Sequence, residues 1–111
     1  MHLTEEQLKK FDEEGYLFFP SLFKKEEVDY LNSSVPDLYK IKAEYNFKEK
    51  GTDVVRTNFA AHLYSEPFAK LARHPRMIKP VEDLLKEKLY MHQFKINGKM
   101  AFEGDVWQWH Q

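Results

Sequence analysis

The feature of this sequence that most constrains its fold is a change of hydrophobic period at Leu89. Before that residue the apolar side chains recur mainly at helical spacing, most clearly over residues 77–85, which predicts an amphipathic helix. Over residues 90–97 the period is two, so the polar odd-numbered positions, Gln93 and Asn97 among them, share one face. We therefore predict an α+β chain in which helices come first and strands begin only near the C-terminus.

Local signals near the N-terminus predict a helix followed by a strand. Thr4 and Gln7 have the spacing of a capping box, and Gly15 can end a helix in a left-handed conformation, so a helix is expected over residues 5–14. The apolar run over residues 16–19 lies between a glycine and a proline, which favours a short buried strand.

The middle of the chain gives weaker signals. A second helix is expected to begin near Lys24, and the polar residues 32–34 together with Pro36 should interrupt it. Apolar residues at helical spacing predict another helical segment within residues 38–47. Residues 54–64 fit either a helix or a strand.

Composition excludes several classes of protein. The formal net charge of -1 argues against a nucleic-acid partner bound through a basic surface. The absence of cysteine excludes disulfides, thiolate catalysis and iron–sulfur clusters. No apolar run approaches the roughly 20 residues of a membrane-spanning helix, and the N-terminus lacks the pattern of a secretory signal. We therefore expect a cytoplasmic protein with no nucleic-acid or membrane partner.

Common catalytic motifs are also missing from the sequence. The 5 histidines are scattered, and none forms the pair at i, i+3 or i, i+4 that a helix uses to bind a metal ion. The 4 glycines are too far apart for a phosphate-binding loop, and no serine sits in a nucleophile elbow. Any site must therefore be sought in the strand-forming C-terminal stretch.

Two segments of that stretch carry a resemblance to a known family. They are residues 90–97, with the sequence YMHQFKIN, and residues 107–111, with the sequence WQWHQ. Residues 71–76 and residues 3–20 add weaker support. In these segments the chain resembles the phytanoyl-CoA dioxygenase family of iron(II)- and 2-oxoglutarate-dependent oxygenases, and within it the ectoine-hydroxylase-like branch.

The resemblance implies a double-stranded β-helix, the jelly-roll or cupin-like barrel of that family. Residues 1–111 are then expected to form the N-terminal part of a single oxygenase domain. Residues 1–88 would be mainly a helical support, and residues 89–111 would be the first barrel strands, ending at the histidine of a His-x-Asp motif. The barrel would be incomplete in this chain, so the rest of the sheet would come from a longer protein or from a partner.

The resemblance also implies roles for four residues. His110 matches the first of three ligands that hold iron(II) and leave open positions for 2-oxoglutarate and dioxygen. Asn97 and Trp107 match residues that hold 2-oxoglutarate, and Gln93 matches a residue that contacts the substrate. Plain alternation puts Trp107 and His110 on opposite faces, so both can line one site only if a bulge or a strong twist lies between them.

The implied activity is hydroxylation of an unactivated C–H bond of a small-molecule substrate. This chain has Lys95, Trp107 and Gln111 where the ectoine enzymes have Arg, usually Phe, and Ser. These differences favour a related amino-acid-like or cyclic metabolite over ectoine. With one iron ligand, the 111-residue chain alone is expected to bind iron(II) weakly and to lack turnover.

Other interpretations of the same residues stay open. A histidine such as His110, taken alone, is more often an ordinary strand residue than a ligand, and Gln93 and Asn97 could pair with a neighbouring strand. His92 falls on the apolar face, which favours a buried histidine. The chain could also be a non-catalytic binding or assembly module, dimeric through its open strand edge, or part of a halogenase in which glycine follows Gln111.

Overall fold

The computed structural model describes residues 1–48, 51 and 54–99 of the chain. In chain order the elements are α1 (Glu5–Glu14), α2 (Lys25–Lys40), β1 (Asn46–Lys48), β2 (Val55–Phe59), α3 (Ala61–Tyr64), α4 (Glu66–Ala72), α5 (Pro75–Leu85) and β3 (Lys95–Asn97). The predicted α+β class is confirmed. Within these ranges, no helix is both long enough and apolar enough to cross a membrane.

Helix α1 forms as the sequence predicts. The backbone N–H of Gln7 donates to Thr4 Oγ1 at 3.1 Å, and the backbone N–H of Thr4 donates to Gln7 Oε1 at 2.9 Å, which completes the capping box. Gly15 ends the helix with φ 81°, a left-handed conformation that glycine adopts without strain. Just before the helix, the Leu3 amide donates to Asp83 Oδ2 at 2.7 Å and so ties α1 to α5.

The strand expected over residues 16–19 is wrong. This segment connects α1 to α2 and joins no sheet within the described part of the chain. Phe18 is 80% exposed, so the apolar run is not buried either. An apolar run of this length specifies a strand only when a neighbouring strand pairs with it.

Helix α2 runs without a break through Pro36, contrary to the predicted interruption. Pro36 and Asn32, whose carbonyl loses its hydrogen bond, are both exposed, so water can replace that bond. On the opposite face of the helix, Leu31, Val35 and Leu38 pack into the core on both sides of the proline. This packing holds the helix together where its backbone is weakest.

The helical segment expected within residues 38–47 is also wrong, because α2 ends at Lys40. The side-chain amide of Asn46 donates through Nδ2 to the backbone carbonyls of Leu38 and Ile41, at 2.9 Å and 2.7 Å. It thus supplies a donor to the Ile41 carbonyl at the C-cap and a second donor to the Leu38 carbonyl, which also accepts from the Ile41 backbone N–H at 3.3 Å. The chain then enters β1 at Asn46 itself.

The three strands form one antiparallel sheet with the order β1-β2-β3. The expectation that strands begin only near the C-terminus is wrong, since β1 and β2 lie within the segment predicted to be mainly helical. The ambiguous residues 54–64 divide into β2 and the short helix α3. The long strand expected from Leu89 onward covers only Lys95–Asn97.

The core lies between this sheet and the helices. Its buried members are Leu38 of α2, Ala61 of α3 and Phe68 of α4, and Phe94 and Ile96 pack against them from the β3 side. Of the even-numbered positions in residues 90–97, only Phe94 and Ile96, at the C-terminal end of the segment, therefore point into the core. Tyr90 is 85% exposed, and His92 is exposed as well, so the prediction of a buried His92 is wrong.

Candidate functional site

The sheet has two faces of different character. The strand register pairs Asn46 with Asn58 and Asn58 with Ile96, and this set forms the core face, directed at the helices. The alternate positions form the other face, which we call the cleft face: Phe47, Thr57, Phe59, Lys95 and Asn97. The cleft face carries two of the polar residues that the sequence singles out.

Thr57 and Asn97 lie directly opposite each other on β2 and β3. The backbone N–H of Gly98 donates to the Arg56 carbonyl at 2.9 Å, so the backbone hydrogen bond joins the flanking residues. Thr57 and Asn97 are therefore a non-hydrogen-bonded pair of the antiparallel ladder. In such a pair the two side chains come closest. The Thr57 hydroxyl donates to Asn97 Oδ1 at 3.0 Å, so the two side chains form one polar unit.

Beside this pair is a small cleft of about 240 Å³, lined by Phe47, Lys48, Arg56, Thr57, Phe59, Lys95 and Asn97. Lys95 Nζ lies 5.4 Å from the centre of the Phe59 ring, and Phe47 packs edge-on against Phe59 at 5.1 Å. The lining thus combines aromatic walls with cationic and amide N–H donors. Such a lining suits a small ligand that carries a carboxylate.

A buried polar network anchors β2 from the core face. Asn58 is fully buried, donates to Asn46 Oδ1 at 2.6 Å and accepts from the Tyr64 hydroxyl at 2.7 Å. Burial raises the pKa of Tyr64, so its hydroxyl stays protonated and able to donate. Because strand side chains alternate, anchoring Asn58 on one face also fixes Thr57 and Phe59 on the other.

Gln93 lies apart from Asn97. It precedes β3 and lines a larger, mostly apolar groove of about 700 Å³ between the segment 89–95 and helices α3, α4 and α5. Lys95 lines both the groove and the cleft. The structure therefore confirms a shared face for Lys95 and Asn97, whereas Gln93 lies outside the strand and lines the groove instead of the cleft.

Two predicted site residues, Trp107 and His110, lie outside the described residues. Their roles, and the strand expected over residues 106–110, stay predictions. Among residues 1–48, 51 and 54–99, no three His, Asp or Glu side chains come together as metal ligands. The candidate site within the described chain is therefore the organic-ligand cleft, with Asn97 as its predicted member.

The sequence also contained a signal for residues that the predictions omitted. In β2, Val55, Thr57 and Phe59 are β-branched or aromatic, and they alternate with the polar Arg56 and Asn58. This is the period-two pattern of a strand. A strand assigned there would have placed Thr57 and Phe59 on one face.

The fold is similar to that of solved EctD structures. The chain matches the crystal structure of EctD from S. alaskensis with bound Fe at a TM-score of 0.89 and 28% identity, over 97% of this chain and 40% of that chain. It matches EctD from S. alaskensis with 2-oxoglutarate and 5-hydroxyectoine at a TM-score of 0.84 and 27% identity, over 92% of this chain and 38% of that one. The fold is thus that of the N-terminal portion of EctD.

The sequence profile of the phytanoyl-CoA dioxygenase (PhyH) family matches residues 11–111, and the chain belongs to this family of dioxygenases. The ectoine dioxygenase of Bordetella bronchiseptica is 30% identical over 97% of this chain and 36% of its own length. The L-proline trans-4-hydroxylase of Streptomyces griseoviridis is 30% identical over 92% of this chain and 38% of its own length. The chain thus spans less than half the length of these relatives.

Proposed function

We propose that the chain is the N-terminal part of an iron(II)- and 2-oxoglutarate-dependent oxygenase that hydroxylates a small amino-acid-like or cyclic metabolite. In this reaction one oxygen atom of dioxygen enters a C–H bond of the substrate, and the other enters succinate as 2-oxoglutarate loses carbon dioxide. Iron(II), when bound, supplies the activation of dioxygen. The chain's own residues bind and orient the two organic reactants.

The observation that carries the proposal is the cleft of about 240 Å³ beside Thr57 and Asn97, in a chain of the phytanoyl-CoA dioxygenase family. Asn97 and Lys95 supply N–H donors there, and Phe59 supplies an apolar wall. This donor set fits 2-oxoglutarate, which carries two carboxylates. Trp107 is the further residue we assign to the cosubstrate, and the names of the relatives, ectoine dioxygenase and L-proline trans-4-hydroxylase, support a small substrate.

The remaining roles follow the family pattern. His110 is proposed as an iron ligand, and Gln93, from the neighbouring groove, as the residue that orients the substrate. Lys95 borders both spaces, so the substrate and the cosubstrate would meet beside it. The assignment of residues 89–111 to the first barrel strands belongs to this proposal, as do a cytoplasmic location and the absence of nucleic-acid and membrane partners.

The cosubstrate site is tested by titrating the ¹⁵N-labelled chain with 2-oxoglutarate and following the amide resonances of β2 and β3. We expect shifts around Asn97 and Lys95, and weaker binding in Asn97→Ala. Asn32→Ala, an exposed substitution on α2, is the matched control and should bind as the unmodified chain does. Binding that ignores Asn97→Ala would contradict the assignment.

The metal ligand is tested with Mn²⁺, a paramagnetic substitute for iron(II) that takes similar oxygen and nitrogen ligands. We expect weak binding that broadens the resonances near His110 and that His110→Ala abolishes. The control is His92→Ala, because His92 is an exposed histidine of the same chain. Equal broadening in both variants would argue against His110 as the ligand.

Turnover is tested by mixing the 111-residue chain with iron(II), 2-oxoglutarate and candidate substrates and measuring succinate. We expect none, and substrate-dependent succinate would contradict the proposal that this chain alone is inactive. The codon after Gln111 in the source gene separates two parent reactions. Aspartate or glutamate would support the hydroxylase, and glycine would support a halogenase, because a missing carboxylate ligand leaves room for halide.

One observation favours a second candidate, a non-catalytic binding or assembly module. The groove of about 700 Å³ is mostly apolar, and Leu63 at its edge is 77% exposed. A homodimer could cover this groove, whereas the sequence predicts a dimer through the open strand edge. Light scattering on the purified chain tests the assembly role, because a monomer at high concentration would count against it.

A further inference from the structure

Thr57 is 5% exposed, so its hydroxyl is largely removed from water and needs a partner within the protein. That partner is Asn97 Oδ1, at 3.0 Å across the closely spaced strand pair. Asn97, in contrast, is exposed on the cleft and lines it.

A carboxamide has two chemically different ends, and the hydrogen bond decides which one faces the cleft. The oxygen of Asn97 is engaged by Thr57, so the amide nitrogen with its two hydrogen atoms is the end left for a ligand. Within the described part of the chain, no acceptor bonds to this nitrogen. An end that only donates selects a ligand atom that accepts, such as a carboxylate oxygen, and disfavours an ammonium group.

We propose that Thr57 is a positioning residue that holds the Asn97 amide with its N–H groups directed at a carboxylate in the cleft. This inference rests on the proposed function, in which the carboxylate belongs to 2-oxoglutarate. The adjacent Asn58 network fixes the β2 backbone, so the Thr57 hydroxyl is held in place before the ligand arrives. The fixed donor therefore needs no rearrangement on binding.

A merely structural role for Thr57 makes a different prediction. Thr57→Val keeps the β-branched shape that suits a strand and removes the hydroxyl, whereas Thr57→Ser keeps the hydroxyl. If Thr57 only stabilised the sheet, Thr57→Val would affect the sheet as a whole and leave the amide of Asn97 no more mobile than its neighbours. If Thr57 orients Asn97, the change concentrates in that one side chain.

The first experiment measures the order of the Asn97 side-chain nitrogen by ¹⁵N relaxation in the full 111-residue chain without ligand. We expect a rigid amide in the unmodified chain and in Thr57→Ser, and a mobile amide in Thr57→Val with unchanged backbone order in β2 and β3. An amide that stays rigid in Thr57→Val would overturn the inference. This readout needs no ligand, so it stands whether or not 2-oxoglutarate binds.

The second experiment measures the affinity for 2-oxoglutarate in a double-mutant cycle. Thr57→Val should weaken binding about threefold to tenfold, as the loss of one oriented hydrogen bond predicts, and Thr57→Ser should restore it. In the Asn97→Ala background Thr57→Val should have no further effect. An equal loss in both backgrounds would overturn the positioning role and leave the proposed function intact. No binding by the unmodified chain would contradict the proposed function instead.

Discussion

The Arg76 guanidinium and the Glu27 carboxylate form a two-pronged ion pair that joins the first turn of α5 to the first turn of α2. Nη1 donates to Glu27 Oε2 at 3.1 Å, and Nη2 pairs with Oε1. The same guanidinium donates to the Leu22 carbonyl at 2.6 Å and lies 4.5 Å from the centre of the Phe23 ring. One arginine thus fixes the turn before α2 against α5, more than 45 residues away in sequence.

This ion pair predicts a pH-dependent contribution to stability. The hydrogen bond from Arg76 is the main cause that lowers the pKa of Glu27 from 4.5 to about 2. Since the folded-state pKa is the lower one, the contribution is complete above pH 4.5 and is lost as the pH falls towards about 2. Glu27→Gln should therefore lower the urea midpoint near neutral pH, and the difference from the unmodified chain should vanish in strong acid.

The matched control for Glu27 is Glu26, an exposed carboxylate in the same first turn of α2. Glu26→Gln should change the urea midpoint much less than Glu27→Gln, because an exposed charge of this kind contributes little. If both variants have the same midpoint at neutral pH, or if the Glu27→Gln difference persists in strong acid, the ion pair does not have the role assigned to it.

A second titration should be visible at the N-terminus. The Leu3 amide donates to Asp83 Oδ2 at 2.7 Å, and His2 Nδ1 lies 3.1 Å from Oδ1. These bonds, the backbone bond first, lower the pKa of Asp83 from its ordinary 3.8. The tether is therefore complete above pH 3.8 and is lost only in stronger acid. The Leu3 amide proton shift, followed against pH, should have a midpoint below 3.8, and a midpoint at or above it would contradict the tether.

The polar network behind the cleft predicts the cost of losing its central residue. Asn58 is fully buried and connects Asn46 to Tyr64. Asn58→Ala removes the donor to Asn46 Oδ1 and empties a fully buried site, while the Tyr64 hydroxyl keeps the Phe59 carbonyl as an acceptor at 2.8 Å. The loss should cost about 1–3 kcal/mol of unfolding free energy. Asn32→Ala, an exposed change of the same type, should stay within about 0.5 kcal/mol of the unmodified chain. Equal effects from urea denaturation would show that the network is not needed.

Features that depend on interactions between residues close together in sequence could be predicted, and features that depend on contacts between distant segments could not. The capping box of Thr4 and Gln7 and the left-handed Gly15 act within one turn, so the sequence alone specified α1. The continuity of α2 through Pro36 depends on Leu31 and Leu38 packing against residues far away in sequence. No local pattern contains that information, and the local signal at Pro36 pointed the other way.

The candidate site shows the same division. The period-two pattern correctly put Lys95 and Asn97 on one face. Their partners on that face, Thr57 and Phe59, come from β2, and strand register depends on pairing between segments about 40 residues apart. The side of the cleft formed by Lys95 and Asn97 could therefore be predicted from the sequence. The side formed by Thr57 and Phe59 could be identified only from the register of the sheet.

A close approach at the end of β3 gives the last prediction. A Cβ atom built on Gly98 would lie 2.8 Å from the Tyr39 hydroxyl oxygen and 3.6 Å from its nearest ring carbons. Burial raises the pKa of Tyr39, as expected for a hydroxyl packed between α2 and the sheet. Gly98→Ala should therefore cost about 1–3 kcal/mol, since the Tyr39 hydroxyl must move away from the new methyl group. Tyr39→Phe removes the one oxygen that clashes and leaves the ring at ordinary contact distance, so the double variant should recover most of that loss. Urea denaturation of the two single variants and the double variant measures the coupling. Additive losses would mean that Gly98 is needed for its backbone and not for the approach of Tyr39.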